Sequence, residues 1–356
     1  MKFFVSTGEV SGDVHLSYLV KVAKEKYKDA KFYGVAGKHS KEVGVEIIQD
    51  IDELAIMGFV EVLKKYSFLK KKAQEYLEFI KENNIKKVIL VDYGGFNLKF
   101  LELLKANIED IEVFYYIPPK VWIWGEKRVE KLRLADHIMV IFPWEVDFYK
   151  KHGIDAIYYG NPFVDKYRKI SRTDEYILLL PGSRKQEIKS LIPIYIELIK
   201  KYRDRKFLLK LSSEKHLRWA KDIINLDHPN LEIEIKEGLG KCVAKSSVAV
   251  AASGTVTLEL ALLGIPTVVV YKTNFINAFI AKYLLKLGFV SLPNLTVDKE
   301  VFPELLQERC NLENIENEII NFEKNRNQTD LNILEVRNKL DGKNVIESYA
   351  DFLMGK

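Results

Sequence analysis

The sequence predicts an α/β protein in which parallel strands are connected by helices. Short apolar segments alternate with amphipathic stretches along the chain, the pattern expected of repeated β-α-β units. Residues 248–272 are a clear example, because Val248–Ala252 and Thr267–Tyr271 predict buried strands and helix-favouring residues lie between them. A length of 356 residues suggests two domains, each large enough for its own core.

The composition is that of a globular protein with a mild positive charge. A net charge of +5 suits an acidic ligand or an anionic membrane surface, and it supports nucleic-acid binding only weakly. Cys242 and Cys310 form no disulfide framework and the six histidines show no metal-binding spacing, so we expect a reducing cytosol and no metal or cofactor. A strand starts at Lys2, and no apolar segment approaches the roughly 20 residues that span a bilayer. We therefore expect no signal peptide, and membrane contact that is at most peripheral.

The chain divides at a polar segment without periodicity, Lys166–Asp174, which we interpret as a linker. This gives a first domain over residues 1–165 and a second over 175–310. Residues 311–356 predict C-terminal helices, for which packing against the first domain is left open.

Two polar segments of the first half follow predicted strands. The glycine-bearing loop 7–13 comes after Lys2–Ser6, and Asp92 comes directly after the apolar strand Lys87–Val91. Ligands of open parallel sheets bind at the carboxyl ends of the strands. Asp92 is therefore either a functional carboxylate or a residue that forms the turn.

The second half offers turns suited to phosphate. Ser253-Gly254-Thr255 begins a helix after a strand, and amides at such a turn, together with the helix dipole, favour an anion. Gly182-Ser183-Arg184 follows the strand Tyr176–Leu180 and offers amides and a guanidinium. An ordinary serine-capped turn and a surface ion pair of Arg184 with a nearby Glu are the alternatives. Glu259 is placed to hold a ribose diol, and the Gly238 turn to contact a base or ribose.

Residues 58–72 interleave large apolar side chains with lysines. Such a segment could lie on a membrane surface. The alternative is a solvated basic face on a packed helix. The side chains expected to contact acyl chains or the membrane are Phe59, Val62, Leu63, Phe68 and Leu69.

A set of motifs follows in order along the chain: Gly8-Glu9-x-Ser11-Gly12-Asp13, residues 57–63, Val121-Trp122-x-Trp124, residues 180–188, Ala252-Ser253-Gly254-Thr255-x-x-Leu258-Glu259, residues 291–294 and residues 303–307. Taken together, these segments resemble the lipid-A-disaccharide synthases. The resemblance implies a glycosyltransferase-B fold, with two Rossmann-like domains facing across a cleft. It implies inverting transfer of 2,3-diacylglucosamine from UDP-2,3-diacylglucosamine to 2,3-diacylglucosamine 1-phosphate, which gives a β-1,6 disaccharide 1-phosphate and UDP in lipid A biosynthesis.

The chemistry of this transfer, together with the positions of the polar residues, suggests roles for individual residues. Asp92 is the preferred general base, and Glu9 is an alternative base or an orienting partner. Arg184 would stabilise the leaving UDP. The implied substrate-binding residues are Ser11, Gly182, Ser183, Gly238, Ser253, Gly254, Thr255, Glu259, Asn294 and Gln307. The expected location is cytoplasmic, peripheral on the inner face of the cytoplasmic membrane, and a homodimer is left open.

The chain departs from the family pattern at Gly94-Gly95, and we expect this doubled glycine to loosen the loop that holds Asp92. Pro118-Pro119 and Gly125 are further departures on the presumed acceptor side. Two alternatives stay open at this point. One is a UDP-sugar 2-epimerase on the same fold, and the other is a non-catalytic protein that binds nucleotide sugars or a membrane surface.

Overall fold

The computed structural model describes residues 1–53, 62–122, 128–272 and 288–356, and for residues 62–66 it describes the backbone alone. These residues form two compact units. The first contains Met1–Asp165 and Asp341–Lys356, and the second contains Lys166–Leu340. Each unit is built on one parallel sheet, so the predicted α/β class is confirmed.

The first unit contains a seven-stranded sheet in the order β3-β2-β1-β4-β5-β6-β7. Its strands are β1 (Lys2–Ser6), β2 (Lys31–Ala36), β3 (Glu46–Asp50), β4 (Lys87–Val91), β5 (Glu112–Tyr116), β6 (His137–Met139) and β7 (Ala156–Ile157). The strand order reverses between β1 and β4, because β2 and β3 lie on one side of β1 and all later strands lie on the other. Ligand sites of doubly wound sheets lie at the carboxyl ends of such a strand pair.

The second unit repeats this layout with six strands in the order β10-β9-β8-β11-β12-β13. Its strands are β8 (Tyr176–Leu180), β9 (Lys206–Lys210), β10 (Leu231–Glu234), β11 (Ser246–Ala252), β12 (Thr267–Tyr271) and β13 (Glu304–Leu306). Here the order reverses between β8 and β11, so their carboxyl ends mark the second candidate ligand position.

Helices connect the strands in both units. The helices that we number are α1 (Val10–Lys26), α2 (Lys38–Glu42), α3 (Val62–Glu82), α4 (Gly94–Asn107), α5 (Val129–Leu132), α6 (Pro143–Lys151), α7 (Phe163–Lys166), α8 (Lys185–Lys201), α9 (Glu214–Lys221), α10 (Leu239–Ala244), α11 (Thr255–Leu263), α12 (Leu292–Val297), α13 (Leu312–Lys324), α14 (Arg326–Leu340) and α15 (Val345–Leu353). A 3-10 turn spans Gln307–Arg309. In the described ranges, no helix is both long enough and apolar enough to span a bilayer.

The central strands are apolar on both faces because helices cover both faces of each sheet. In β4 the residues Val88–Val91 are completely buried, and in β11 the same holds for Ala249–Ala251. The β-α-β unit predicted from residues 248–272 is present as β11, α11 and β12, with β11 and β12 paired in parallel.

The three C-terminal helices divide between the units. Helices α13 and α14 belong to the second unit, whereas α15 belongs to the first. In α15 the buried hydroxyl of Tyr349 lies 3.0 Å from the Gly160 carbonyl oxygen. The chain therefore leaves the first unit after Asp165 and returns to it for its last 16 residues.

Candidate active site

Asp92 lies at the reversal point of the first sheet, immediately after β4. Both Asp92 and Tyr93 adopt the left-handed backbone conformation, with φ of +46° and +49°. Such conformations cost free energy in residues other than glycine, and they persist where the surroundings fix them. The turn is therefore held by its neighbours rather than by its own preference.

Asn97 and Tyr115 hold this turn. The completely buried amide of Asn97 donates to the carbonyl oxygens of Ser6, Val91 and Asp92 at 3.1–3.2 Å, and it accepts from the Ser6 hydroxyl at 2.7 Å. The Tyr115 hydroxyl donates to the Asp92 carbonyl oxygen at 2.8 Å. These bonds tie the ends of β1, β4 and β5 together below the Asp92 side chain.

The two glycines of the doubled pair differ in their surroundings, and the expectation that the pair loosens this loop stays a prediction. Gly94 begins α4, and a Cβ atom placed on it would lie 2.6 Å from the Pro119 side chain. Gly94 thus permits close packing between the Asp92 turn and the segment after β5. Gly95 is exposed, and a Cβ atom placed on it would meet no other atom within 4 Å.

The Asp92 carboxyl carries a shifted pKa. Burial, followed by the nearby charge of Glu9, raises the pKa of Asp92 from 3.8 to about 6, and Lys120 opposes this increase. Glu9 itself is exposed at the start of α1. The ring of Tyr93 lies directly over Gly8, 2.3 Å from where a Cβ atom would be, which brings the two turns together. Asp92 and Glu9 therefore form a carboxyl pair in which Asp92 is suited to exchange a proton near neutral pH.

The neighbouring loop residues differ in their exposure. Ser11 is exposed, so its side chain can meet a ligand. Asp13 is buried, and its carboxylate accepts from the backbone N–H groups of Gly37, His39 and Ser40 at 2.9–3.3 Å. Asp13 therefore stabilises the start of α2, a structural role within the motif that the sequence pattern does not predict.

Two further residues on this side are not indicated by any motif. Glu145 is buried in α6, where it accepts from the Trp122 indole N–H and the Phe142 backbone N–H, both at 3.2 Å. Burial raises the pKa of Glu145 to about 7. Lys120 is exposed between Pro119 and Val121, and its charge opposes the pKa increase at both Asp92 and Glu145. The sequence feature that could have indicated Glu145 and Lys120 is that both lie close to tryptophans in the chain.

In the second unit, Arg184 lies at the reversal point of that sheet, after β8. Its side chain is 76% exposed and contacts Glu187 at 3.1 Å, which is the surface ion pair named above as the alternative. Glu187 also accepts from the backbone N–H groups of Ser183 and Arg184, both at 3.1 Å. The expectation that the Ser183 amide is available to phosphate is therefore corrected, because Glu187 occupies it. Gly182 has a left-handed φ of +91°, which closes this turn.

Ser253, Gly254 and Thr255 lie beside this turn, at the carboxyl end of β11. Gly254 is exposed, and Ser253 and Thr255 are half-buried. One turn along α11, the Glu259 carboxylate accepts from the Tyr167 hydroxyl at 2.7 Å, and burial raises the pKa of Glu259. Gly238 is exposed at the start of α10. Ser253–Thr255 and Glu259 thus lie at the β11 side of the reversal point, where Tyr167 orients Glu259, whereas Gly238 follows the edge strand β10. Their roles in substrate binding stay predictions.

The structure corrects the expectation that Asn294 binds the substrate. Its side chain is completely buried, donates to the Phe302 carbonyl and the Glu304 carboxylate, and accepts from the backbone N–H groups of Val301 and Phe302. All hydrogen-bonding positions of this amide are used inside the second unit, so it holds the loop before β13 instead of facing a ligand. Gln307 follows β13 with a left-handed φ of +53° and is half-buried.

The predicted membrane segment is described in part. Phe59 lies outside the described residues, and so do the side chains of Val62 and Leu63. Phe68 and Leu69 in α3 are half-buried, and Leu69 packs against the core of the first unit. Leu69 thus contacts the core with its buried part, and its expected contact with acyl chains stays a prediction. Lys72 and Lys71 lie 2.7 and 4.0 Å from the Glu75 carboxylate, and both Lys70 and Lys71 are exposed.

Comparison with solved structures supports the architecture. UDP-GlcNAc 2-epimerase from Neisseria meningitidis, bound to UDP-GlcNAc, matches with a TM-score of 0.68, 14% identity and full coverage of both chains. MurG from Acinetobacter baumannii matches with a TM-score of 0.58 and 15% identity over 100% of this chain and 99% of its own. Two parallel-sheet units with candidate site residues at both reversal points define the glycosyltransferase-B fold.

The sequence comparisons are more specific. The family model for lipid-A-disaccharide synthetase matches residues 3–350. The lipid-A-disaccharide synthase of Geobacter metallireducens is 33% identical over 99% of this chain and 96% of its own. Lipid-A-disaccharide synthase 1 of Legionella pneumophila is 33% identical over 91% of this chain and 88% of its own. The chain therefore belongs to the lipid-A-disaccharide synthase family of UDP-sugar glycosyltransferases, and the epimerase and non-catalytic alternatives are not favoured.

Proposed function

We propose that this protein transfers 2,3-diacylglucosamine from UDP-2,3-diacylglucosamine to 2,3-diacylglucosamine 1-phosphate. The products are a β-1,6-linked disaccharide 1-phosphate and UDP. The observation that carries the proposal is the Asp92 carboxyl, held at a sheet reversal point with a pKa of about 6. An inverting transfer needs such a base, because the acceptor hydroxyl loses its proton while it attacks the anomeric carbon.

The acceptor belongs to the first unit in this proposal. The carboxylate of Asp92 takes the hydroxyl proton, and the oxygen forms its bond to the anomeric carbon from the face opposite UDP. Glu9 helps to hold the proton near Asp92, because its negative charge raises the Asp92 pKa. The left-handed turn fixes the carboxylate through bonds from Asn97 and Tyr115 to the Asp92 backbone.

The donor belongs to the second unit. As the bond from the anomeric carbon to UDP breaks, negative charge develops on the pyrophosphate. The guanidinium of Arg184 and the helix start at Ser253–Thr255 are suited to stabilise that charge. Glu187 supports Arg184 through an ion pair of 3.1 Å, and Glu259, oriented by Tyr167, is suited to bind the ribose hydroxyls.

The direct test is to incubate the protein with both lipid substrates and to analyse the products by mass spectrometry. We expect a disaccharide 1-phosphate in the presence of both substrates, and none when either is omitted. A parallel incubation with UDP-N-acetylglucosamine alone tests 2-epimerisation. Epimerised sugar without disaccharide would replace the proposal with the epimerase function.

Hydrogen exchange with and without UDP tests the assignment of the donor to the second unit. We expect protection at Gly182–Arg184, Ser253–Glu259 and the Gly238 turn. Protection restricted to residues 1–165 would place the nucleotide in the first unit and contradict this part of the proposal.

We further propose that the enzyme binds the inner face of the membrane through residues 58–72, since its lipid substrates reside there. Each lysine near an anionic surface contributes about 1 kcal/mol. Replacing Lys70, Lys71 and Lys72 with Glu should reduce sedimentation with phosphatidylglycerol vesicles at low salt. Lys81→Glu, an exposed change in the last turn of the same helix, is the matched control. Equal sedimentation of both variants and the wild type would instead favour a solvated basic face.

A further inference from the structure

Lys120 is an exposed cation on the segment that follows β5. It forms no hydrogen bond or ion pair with any residue that the structure describes, in contrast to Lys87, Lys105 and Lys131 of the same unit, which all pair with carboxylates. An unpaired ammonium is available to an anionic ligand.

Several contacts hold the backbone on both sides of Lys120. Pro119 packs against Gly94 at the start of α4, and the Val121 N–H donates to the Pro119 carbonyl oxygen at 2.6 Å. Val121 is only 2% exposed, and Trp122 is bonded to the buried Glu145. The segment therefore presents Lys120 from a fixed position beside the Asp92 turn, because β4 and β5 are neighbours.

Lys120 lies near two carboxyls among the residues that the structure describes. Asp92 directly follows β4 and Glu145 lies in α6, and the charge of Lys120 opposes the pKa increase of both. Glu9, which directly precedes α1, is a further carboxyl near Asp92. A cation at this position offsets the repulsion between these carboxyls and an acidic substrate. Gly95, the neighbour of Gly94 in the chain, is exposed, and a Cβ atom placed on it would meet no other atom within 4 Å, so a ligand group can approach the backbone there.

We propose that Lys120 binds the phosphate of the acceptor, and so makes the enzyme select a sugar 1-phosphate over the same sugar without phosphate. The inference rests on the proposed function, since it concerns the acceptor of that reaction. It assigns the phosphate contact to an ammonium in the first unit, separate from Arg184, which serves the leaving UDP.

The test compares two acceptors, 2,3-diacylglucosamine 1-phosphate and 2,3-diacylglucosamine, with wild type, Lys120→Met and Lys120→Arg. The assay is run near pH 8, about two units above the Asp92 pKa, so that loss of the Lys120 charge does not change the protonation of the base. Lys81→Met, at an exposed position near the other end of the first unit's strands, is the matched control.

With the phosphorylated acceptor, Lys120→Met should raise KM about tenfold or more with little change in kcat. With the phosphate-free acceptor, wild type and Lys120→Met should agree within about twofold, and Lys120→Arg should retain most of the preference for phosphate. An equal loss with both acceptors, or no loss with either, would overturn the inference and leave the proposed function intact. Absence of disaccharide from the wild-type enzyme with either acceptor would reject both.

Discussion

The two reversal points place charged residues at equivalent positions by different means. In the first unit, the turn at Asp92 uses two left-handed residues that are not glycine, and the bonds of Asn97 and Tyr115 fix them. In the second unit, the turn before Arg184 uses Gly182, and Glu187 closes it with three contacts. The first arrangement partly buries a carboxyl and raises its pKa, whereas the second leaves a permanent cation exposed. A group that exchanges protons needs a shielded, fixed environment, and a group that meets a pyrophosphate needs access.

The largest effect is expected from Asp92→Asn, which removes the basic lone pair and keeps the size of the side chain. Turnover should fall about 10²–10⁴-fold in a folded protein, with UDP affinity nearly unchanged. The measurements are product formation and UDP titration. If Glu9 is the base, Glu9→Gln will show the larger loss. Nearly full turnover of Asp92→Asn would mean that Asp92 serves only the turn.

Arg184→Ala tests the role of the exposed cation at the reversal point of the second unit. Loss of one charge-assisted contact to the leaving group should cost about 2–4 kcal/mol in the transition state. The fold should persist, because the guanidinium is 76% exposed. Lys185→Ala, at the next exposed position, is the control for a general loss of positive charge. Equal activity of the two variants would remove Arg184 from the mechanism.

A stability measurement distinguishes the shielded carboxyl from an ordinary surface one. The raised pKa means that folded protein binds this proton more tightly than the unfolded chain, so the stabilisation is present below pH 3.8 and is lost as the pH rises through about 6. Asp92→Asn avoids the buried charge and should be more stable than wild type by about 1–3 kcal/mol near pH 8. Urea unfolding should show this difference shrinking between about pH 6 and pH 4. A constant difference would contradict the shift.

The smallest effects concern the glycine pair. Gly94→Ala forces a Cβ atom toward Pro119 at 2.6 Å and should destabilise the first unit by about 1–3 kcal/mol. Gly95→Ala meets no atom within 4 Å and should change stability by less than about 0.5 kcal/mol. Thermal unfolding of the two variants provides the comparison. Equal destabilisation would mean that the Pro119 contact does not determine this turn.

The positions of the site residues were predictable, but their contacts were less so. Asp92, Arg184 and Ser253 follow apolar strands, and the carboxyl ends of parallel strands meet at one edge, so pattern alone located them. The role of Asp13 in stabilising the start of α2 was not predictable, because its partners Gly37, His39 and Ser40 lie 24–27 residues further along the chain.

Asn294 also shows that the sequence does not identify the partners of a polar side chain. An amide in a polar motif is compatible with a ligand contact or with a buried network, and the sequence does not say which way the side chain faces. Here the Val301 and Phe302 N–H groups, the Phe302 carbonyl oxygen and the Glu304 carboxylate together use its whole hydrogen-bonding capacity. Glu145 was missed for a related reason, since its partner Trp122 lies 23 residues earlier in the chain and no local pattern indicates their contact.

The return of α15 to the first unit has a consequence for the order of folding during synthesis. The ribosome releases residues 166–340 before Val345–Leu353, so every residue of the second unit is available while the first still lacks Tyr349. That tyrosine lies within hydrogen-bond distance of Tyr159 and Gly160, both made about 190 residues earlier. The unit that begins first is therefore completed only after every residue of the second has been made, and it lacks α15 until Val345–Leu353 has been synthesised.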